Sequence, residues 1–302
     1  MLQQTFVLII LDFMKTFKKS SIIAFYFAIF SFLFCLVSCN NSEKKSSDNS
    51  EVRIVSLGPA ATEIIFAIGA QDQLVARTDL CDYPAEVSEY PSVGGFTGNA
   101  ISLEAIISYE PTLVYLFAGM HDFLIKPLED AGIKVYVSDA SSIEAVKKEV
   151  LDIGELTGHE KQAQKVVKEM DKKLDAAKKL TEKESGKNEE NLPTVYWEVW
   201  HEPMMSVGKN SFINDIIQYA GGKNIFADEE SSYPMVSEEA VLYANPDYIF
   251  YTGDGMGGGK PSEVFNPPKG IYYMGDDDGF VRSSPRVADA VEKLSLILWG
   301  KN

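Results

Sequence analysis

The sequence is poor in the residues that most often carry chemistry. Its 302 residues include three cysteines and three histidines. Three cysteines cannot build a disulfide framework. Two of them, Cys35 and Cys39, fall within the first forty residues, which leaves Cys81 alone in the body. The histidines, His121, His159 and His201, stand in separate segments, so a metal site needing several imidazoles is hard to assemble and none is expected. Each reads first as a surface or partly packed histidine, and His121 and His201, which follow predicted strands, are the likelier of the three to reach a cleft. Basic residues are outnumbered, 28 Lys and Arg against 44 Asp and Glu, for a net charge of −16. That balance excludes a nucleic-acid surface, which needs clustered cations. No G-x-S-x-G elbow is present and Cys81 has no evident base nearby, so no catalytic residue is nominated and no enzymatic activity is expected. The run Gly253-Asp254-Gly255-Met256-Gly257-Gly258 fits the spacing of a dinucleotide fingerprint. Lys260-Pro261 and Asn266-Pro267-Pro268 prevent a long helix from starting there, so it reads as a loop.

What is present begins with a leader. Lys15, Lys18 and Lys19 precede the apolar, aromatic-rich stretch from Ser20 to Phe34, and Leu36-Val37-Ser38-Cys39 follows. A basic segment, an apolar segment and small residues before a cysteine form the lipobox pattern, in which residues 1–38 are a removed signal peptide and Cys39 carries the lipid. Asp12 sits where a signal should be basic, which points to Met14 as the initiator. Residues 39–51, rich in Ser, Asn and Lys, read as a flexible tether.

From Arg53 short apolar runs alternate with helical patterns. Ile54 to Leu57, Leu74 to Ala76, Leu113 to Tyr115 and Val135 to Val137 read as strands, with helices over Thr62 to Ile68, Leu103 to Tyr109 and Leu124 to Ala131. That order predicts an α/β lobe. Between Ser142 and Lys183 the chain becomes rich in Lys and Glu, with Val166, Met170, Leu174, Ala177 and Leu180 at helical spacing. His159 to Lys183 as one helix would span roughly 38 Å, enough to bridge two lobes. Strand-like residues return at Thr194, giving expected units of 52–157 for a first lobe, 158–190 for the connecting helix and linker, and 191–302 for a second α/β lobe.

The two lobes carry weak internal repeats. Ser102-Leu103-Glu104-Ala105-Ile106-Ile107 before Glu110-Pro111-Thr112-Leu113-Val114 matches Ser237-Glu238-Glu239-Ala240-Val241-Leu242 before Asn245-Pro246-Asp247-Tyr248-Ile249, at identical spacing. Ser56-Leu57-Gly58 before Ile64-Ile65 and Gly69 is echoed by Ser206-Val207-Gly208 before Ile216-Ile217 and Gly221. Duplication of an α/β unit accounts for both. Glu104 and Glu239 each follow a serine suited to cap a helix, and a carboxylate in a first turn is stabilised by the helix dipole. They are equally suited, as a matched pair of anions, to a two-fold symmetric basic partner. Tyr83, Phe96, Phe117, Trp200, Tyr233 and Phe280 stand at strand ends or in Gly/Pro loops. Together they could wall a cleft for a large, flat, partly apolar ligand.

Arg53 to Glu63 (RIVSLGPAATE), Asp82-Tyr83-Pro84, Gly94-Gly95-Phe96, Ala220 to Phe226 (AGGKNIF) and Ser284-Pro285-Arg286 together resemble the periplasmic cobalamin (vitamin B12)-binding proteins of ABC importers. These belong to a helical-backbone family that also holds siderophore and haem receptors. The resemblance spans Arg53 to Trp299. It implies two similar α/β lobes joined by one long rigid helix, with a corrinoid carried between them as transported ligand and no cofactor. It implies ligand contacts at Pro59, Ala60, Leu80, Phe96, Phe117, Trp200 and Tyr233, and a polar pair, Asp278 and Arg282, at the ligand edge. Leu80 and Tyr233 depart from the family's pattern, where an aromatic residue and a tryptophan are found. Glu104 and Glu239 would dock on the permease dimer, which works with ATPase subunits. The expected protein is a monomer held to a membrane by its lipid and facing the periplasm or cell exterior. A ferric siderophore or haem receptor of the same fold is the first alternative; a lipid-anchored enzyme or sensor is the second.

Overall fold

A computed structural model describes residues 52–95, 97–252, 260–275 and 278–300. The leader, Cys39 and the tether, Phe96 and the glycine-rich loop 253–259 lie outside the described residues.

The first sheet is built from β1 (Ile54–Ser56), β2 (Leu74–Arg77), β3 (Leu113–Phe117) and β4 (Lys134–Ser138), all parallel, in the order β2-β1-β3-β4. The two central strands, β1 and β3, are apolar runs rather than alternating patterns because helices cover both faces of the sheet. Between the strands run α1 (Pro59–Ala67), α2 (Leu103–Ser108) and α3 (Asp122–Asp130). Ile64, Ile65 and Tyr115 are fully buried on one face of the sheet, and Leu57, Val114 and Leu128 on the other.

Two helices follow, α4 (Ile143–Thr157) and α5 (Glu160–Ser185). With 26 residues, α5 is roughly 39 Å long. Its apolar stripe serves both halves of the protein: Ala163 packs in the first core, while Met170, Leu174 and Ala177 pack in the second. The neighbouring α4 bridges as well. Val150 and Ile153 belong to the first core, but Ile143 and Val146 to the second. The Ile143 amide donates to Asp215 Oδ2 at 2.7 Å. The first turns of α4 thus pack on the second core and its later turns on the first.

The second sheet centres on β5 (Thr194–Trp200). It pairs on one edge with β8 (Tyr248–Tyr251), which pairs with β9 (Ile271–Tyr273), all parallel. On the other edge β7 (Lys223–Asn224) pairs parallel with the start of β5 and β6 (Met205–Ser206) antiparallel with its end. The helices are α6 (Phe212–Tyr219), α7 (Glu238–Ala244) and α8 (Val287–Trp299). Trp197 is fully buried, its ring stacked on Phe250 at 5.3 Å and tilted against Phe280 at 5.4 Å. Phe280 is thus a core residue, not a cleft wall: with no exposed surface it has nothing to offer a ligand.

One sequence repeat is a structural repeat and the other only half of one. Ser102 and Ser237 cap α2 and α7, each hydroxyl accepting from an alanine amide three residues on, Ala105 and Ala240, at 3.2 Å. Glu104 and Glu239 are the second residues of these helices, and both helices lead into the strands β3 and β8 through a left-handed residue before proline, Glu110 (φ 48°) and Asn245 (φ 45°). In the second echo a helix follows each glycine, but Ser56 lies on an interior parallel strand and Ser206 on an antiparallel edge strand.

Candidate functional site

In parallel α/β sheets ligands gather where strands end and helices begin. Here β1 ends at Ser56, and Gly58 and Pro59 turn the chain into α1. Pro59 suits the first helical position because its missing amide would have no helical acceptor. Phe117, the last residue of β3, lies over this turn: a Cβ on Gly58 would stand 2.1 Å from Phe117 Cε2. Glycine is required at position 58 by this close approach, for its backbone is extended (φ −168°) and open to any residue. Ala60 is 2% exposed, so its methyl belongs to the packing of α1 and leaves no side-chain surface for a ligand. Leu80, just past β2, is 53% exposed.

Across from these, Trp200 ends β5 and its indole N–H donates to the Glu202 carbonyl at 2.8 Å. Tyr233, 47% exposed, stands on a loop pressed against the turn after β6. Gly208 permits that contact, since a Cβ there would lie 2.0 Å from the Ser231 carbonyl oxygen. The Gly208 amide donates to Ser232 O at 2.9 Å, and Met205 bridges Met235 in antiparallel fashion. Leu80, Phe117 and Trp200 thus come to the carboxyl ends of the two sheets, and Tyr233 lies two residues before Met235, which pairs with Met205 beside Trp200. Sequence reasoning did not single out their exposed apolar neighbours at the same ends, Met120, Phe123, Met235 and Val281. Single methionines and valines in loops, and one phenylalanine in the first turn of α3, carry no pattern that could have marked them.

The two halves meet directly in a charged cluster. Arg282 Nη1 reaches Glu63 Oε1 (3.0 Å) and Asp82 Oδ1 (2.7 Å), and Nη2 reaches Asp278 Oδ2 (3.1 Å). Arg286 donates through Nε to Glu63 Oε2 (2.8 Å) and through Nη2 to Oε1 (2.6 Å), a two-pronged pairing. The Ser284 hydroxyl donates to Glu63 Oε2 at 2.5 Å, and the Arg286 guanidinium lies 4.0 Å above the Tyr83 ring. Glu63, only 2% exposed in its side chain, is therefore neutralised by two arginines from the opposite half. Burial works against the charge on Arg282, but Asp82 and Glu63 outweigh it and raise its pKa. Asp82 in turn is held below the usual carboxylate range, first by its hydrogen bonds from Arg282.

The expected polar pair Asp278 and Arg282 is thus present, but Arg282 is occupied by three carboxylates and clasps the halves together. Glu63, Asp82, Ser284 and Arg286 completed this clasp without being nominated, although all four lie inside the motifs that carried the family resemblance. A cavity of about 570 Å³ runs beside the clasp, lined by Phe66, Tyr83, Glu86, Tyr90 and Arg286 among others. It follows α1 toward its carboxyl end and so leaves the strand ends where the nominated residues gather.

His121 is fully buried and its Nδ1 accepts the Phe117 amide at 3.1 Å, so it braces the β3–α3 turn instead of facing a ligand. Cys81 is buried, with the Thr62 hydroxyl donating to its sulfur at 3.0 Å. Among the described residues no group of three or more His, Cys, Asp or Glu could hold a metal ion, and no helix is long and apolar enough to cross a membrane.

Glu104 and Glu239 are exposed. In a sheet of this kind a helix runs antiparallel to the strand it feeds, so the first turns of α2 and α7 lie at the carboxyl-end side of their sheets, the same side as the aromatic wall. The Ser102 hydroxyl donates to Glu104 Oε2 at 3.1 Å. Glu239 has its pKa lowered by its own backbone amide and by the Ser237 hydroxyl.

Residues 54–269 match the family model described as periplasmic binding protein. An uncharacterized ABC transporter substrate-binding lipoprotein of Bacillus subtilis is 34% identical over 254 residues, covering 80% of this chain and 78% of that protein. A vitamin B12-binding protein of Vibrio parahaemolyticus is 26% identical over 245 residues, covering 79% of this chain and 86% of the relative. Among solved structures, a periplasmic haem-binding protein of Vibrio cholerae superposes with a TM-score of 0.70 at 24% identity, covering 83% of this chain and 100% of the other. At that identity the likeness bears on fold alone.

Proposed function

The chain belongs to the periplasmic binding protein family, and on that premise we propose that it captures cobalamin or a related corrinoid between its two halves and delivers it to a permease. The coarser role follows from the family: a substrate-binding protein of an ABC importer, taking up a small molecule outside the cytoplasm and working with a permease and its ATPase subunits. Its ligand is cargo, not cofactor. The observation that carries the corrinoid reading is the set of apolar and aromatic side chains, exposed Leu80 and Met235 and half-buried Phe117 and Trp200, at the carboxyl ends of two sheets clasped together by Arg282 and Arg286, with exposed Tyr233 two residues from Met235. Such a wall suits a large, flat ligand with a polar rim. The name of the Vibrio relative supports the same ligand.

Lipidation at Cys39, with residues 39–51 as a tether, belongs to the same proposal and is supported by the name of the Bacillus relative. A tethered monomer stays near its permease at high effective concentration. The exposed pair Glu104 and Glu239, at equivalent helix positions, is assigned to docking on the permease dimer. As functional units we retain 52–157, 158–190 and 191–302, with α4 shared between the first and last.

Titration of the protein with cyanocobalamin, cobinamide, ferric haem and a ferric siderophore, followed by absorbance and calorimetry, tests the ligand. Saturable one-to-one binding of a corrinoid is expected. Tight binding of haem or siderophore with none of either corrinoid would transfer the assignment to that ligand.

A further inference from the structure

Helix α5 has two faces of opposite character. Ala163, Met170, Leu174 and Ala177 are buried and join it to both cores. At 3.6 residues per turn, Lys161, Lys165, Lys168, Lys172, Lys179 and Lys183 fall within about 40° of one line along the opposite side. All six are exposed, and the line they form is about 33 Å long. Asp175 is the one acidic residue inside this arc, and Glu169 and Glu182 flank it. Lys165 lies 3.9 Å from Glu169 and Lys183 3.0 Å from Glu184. Lys161, Lys168, Lys172 and Lys179 have no carboxylate in salt-bridge contact among the described residues. Charges nearer the buried side are used within the protein: Asp171 pairs with Lys147 at 2.6 Å, and Lys173 pairs with Asp289.

Solubility does not require such a line. The exposed side of α4 mixes Glu144, Lys148 and Glu155, as a solvated helix face usually does. Like charges three or four residues apart repel, so the ridge weakens the helix unless an anion meets it. The overall acid excess conceals this cluster: eight of the 28 basic residues lie in one 26-residue helix. We infer that the lysine ridge of α5 is an interaction surface for the anionic phospholipid headgroups of a bilayer, on which the helix lies lengthwise. A folded protein partner would call for a central apolar or aromatic anchor, and the ridge has none. Screening in physiological salt acts over about 8 Å, less than the roughly 10–12 Å thickness of a helix with its side chains, so acidic surfaces beyond α5 do not cancel the attraction. The inference rests on the proposed lipid at Cys39, which keeps the body beside the bilayer. Residues 39–51 can extend to roughly 45 Å at most, longer than the ridge they would let settle.

The test uses the lipidated protein, isolated from its own membranes and mixed with vesicles of phosphatidylcholine, with or without phosphatidylglycerol. Flotation reports the anchor. The rate at which each lysine is acetylated by an amine reagent, read by mass spectrometry, reports the ridge. With phosphatidylglycerol the six ridge lysines should react about fivefold or more slower than on phosphatidylcholine alone, while Lys126 and Lys209 keep their rates and high salt restores the faster ones. Combining Lys165→Gln, Lys168→Gln, Lys172→Gln and Lys179→Gln should lift the protection of Lys161 and Lys183 in a protein that melts no lower than the parent. Equal rates on both vesicles, or protection of Lys161 and Lys183 that survives the four substitutions, overturns the inference and leaves the anchor standing. Flotation with phosphatidylglycerol vesicles alone removes the anchor and supports the ridge, and flotation with neither overturns both. Polyphosphate that protects the ridge of vesicle-free protein as fully as the anionic vesicles do overturns the membrane assignment in favour of a dissolved polyanion.

Discussion

Arg282 touches carboxylates from both halves of the protein at once, and its environment predicts a pH dependence. Asp82 has its pKa lowered in the folded protein, so between that lowered value and the ordinary 3.8 the unfolded chain binds more protons than the folded one. The stability contributed by Asp82 is therefore complete above about pH 3.8 and is lost as pH falls through the lower, folded value. Urea unfolding between pH 5 and pH 2.5 should show a shallower acid decline for Asp82→Asn than for the parent. Equal slopes would mean that the Arg282 contact is spent in solvent. The solvent exposure of Asp82 makes the effect modest and sensitive to salt. None of these partners could be paired from sequence: Glu63 and Arg286 are 223 residues apart, and only folding brings them to 2.6 Å.

The turn from β1 into α1 and the end of β3 behave as one packed element. Gly58→Ala would drive a methyl into the Phe117 ring and should cost about 1–3 kcal/mol of stability, the usual range for overpacking. Removing the ring in a Phe117→Ala background should recover most of that cost, and a double-mutant cycle by thermal or urea unfolding measures the coupling. Additive costs would show that the backbone of the turn, not the ring, resists the methyl. This turn was legible in sequence, since an apolar run, Gly58-Pro59 and a helical pattern follow one another. The role of Phe117 over it was not, because β3 lies some sixty residues downstream. Short edge strands were hidden too: two residues such as Met205–Ser206 leave no periodic signal, and their direction depends on the partner.

At the scale of the whole molecule, the two halves present matched helices on the same side as the aromatic wall. Glu104→Ala combined with Glu239→Ala should leave ligand affinity unchanged and abolish uptake through the cognate permease, measured as ligand-dependent growth or as labelled ligand accumulated by cells. Uptake at the parent level would remove the docking assignment. The pair was readable in advance because a repeat with fixed spacing copies position as well as residue type. Helix α5 was readable for a similar reason: a 26-residue amphipathic pattern can be satisfied only by packing along its length. Which cores it packs against was not, and α4 turned out to share the bridge.

Local periodicity and residue identity at fixed spacing specify the α/β order, the long helix, the repeated caps and the family. Assembly of the fold makes Phe280 and His121 interior, makes Arg282 a clasp, and buries Glu198 against His201. Each depends on which distant groups exclude water from a side chain, and burial of that kind arises only when the two sheets and the helices between them are assembled.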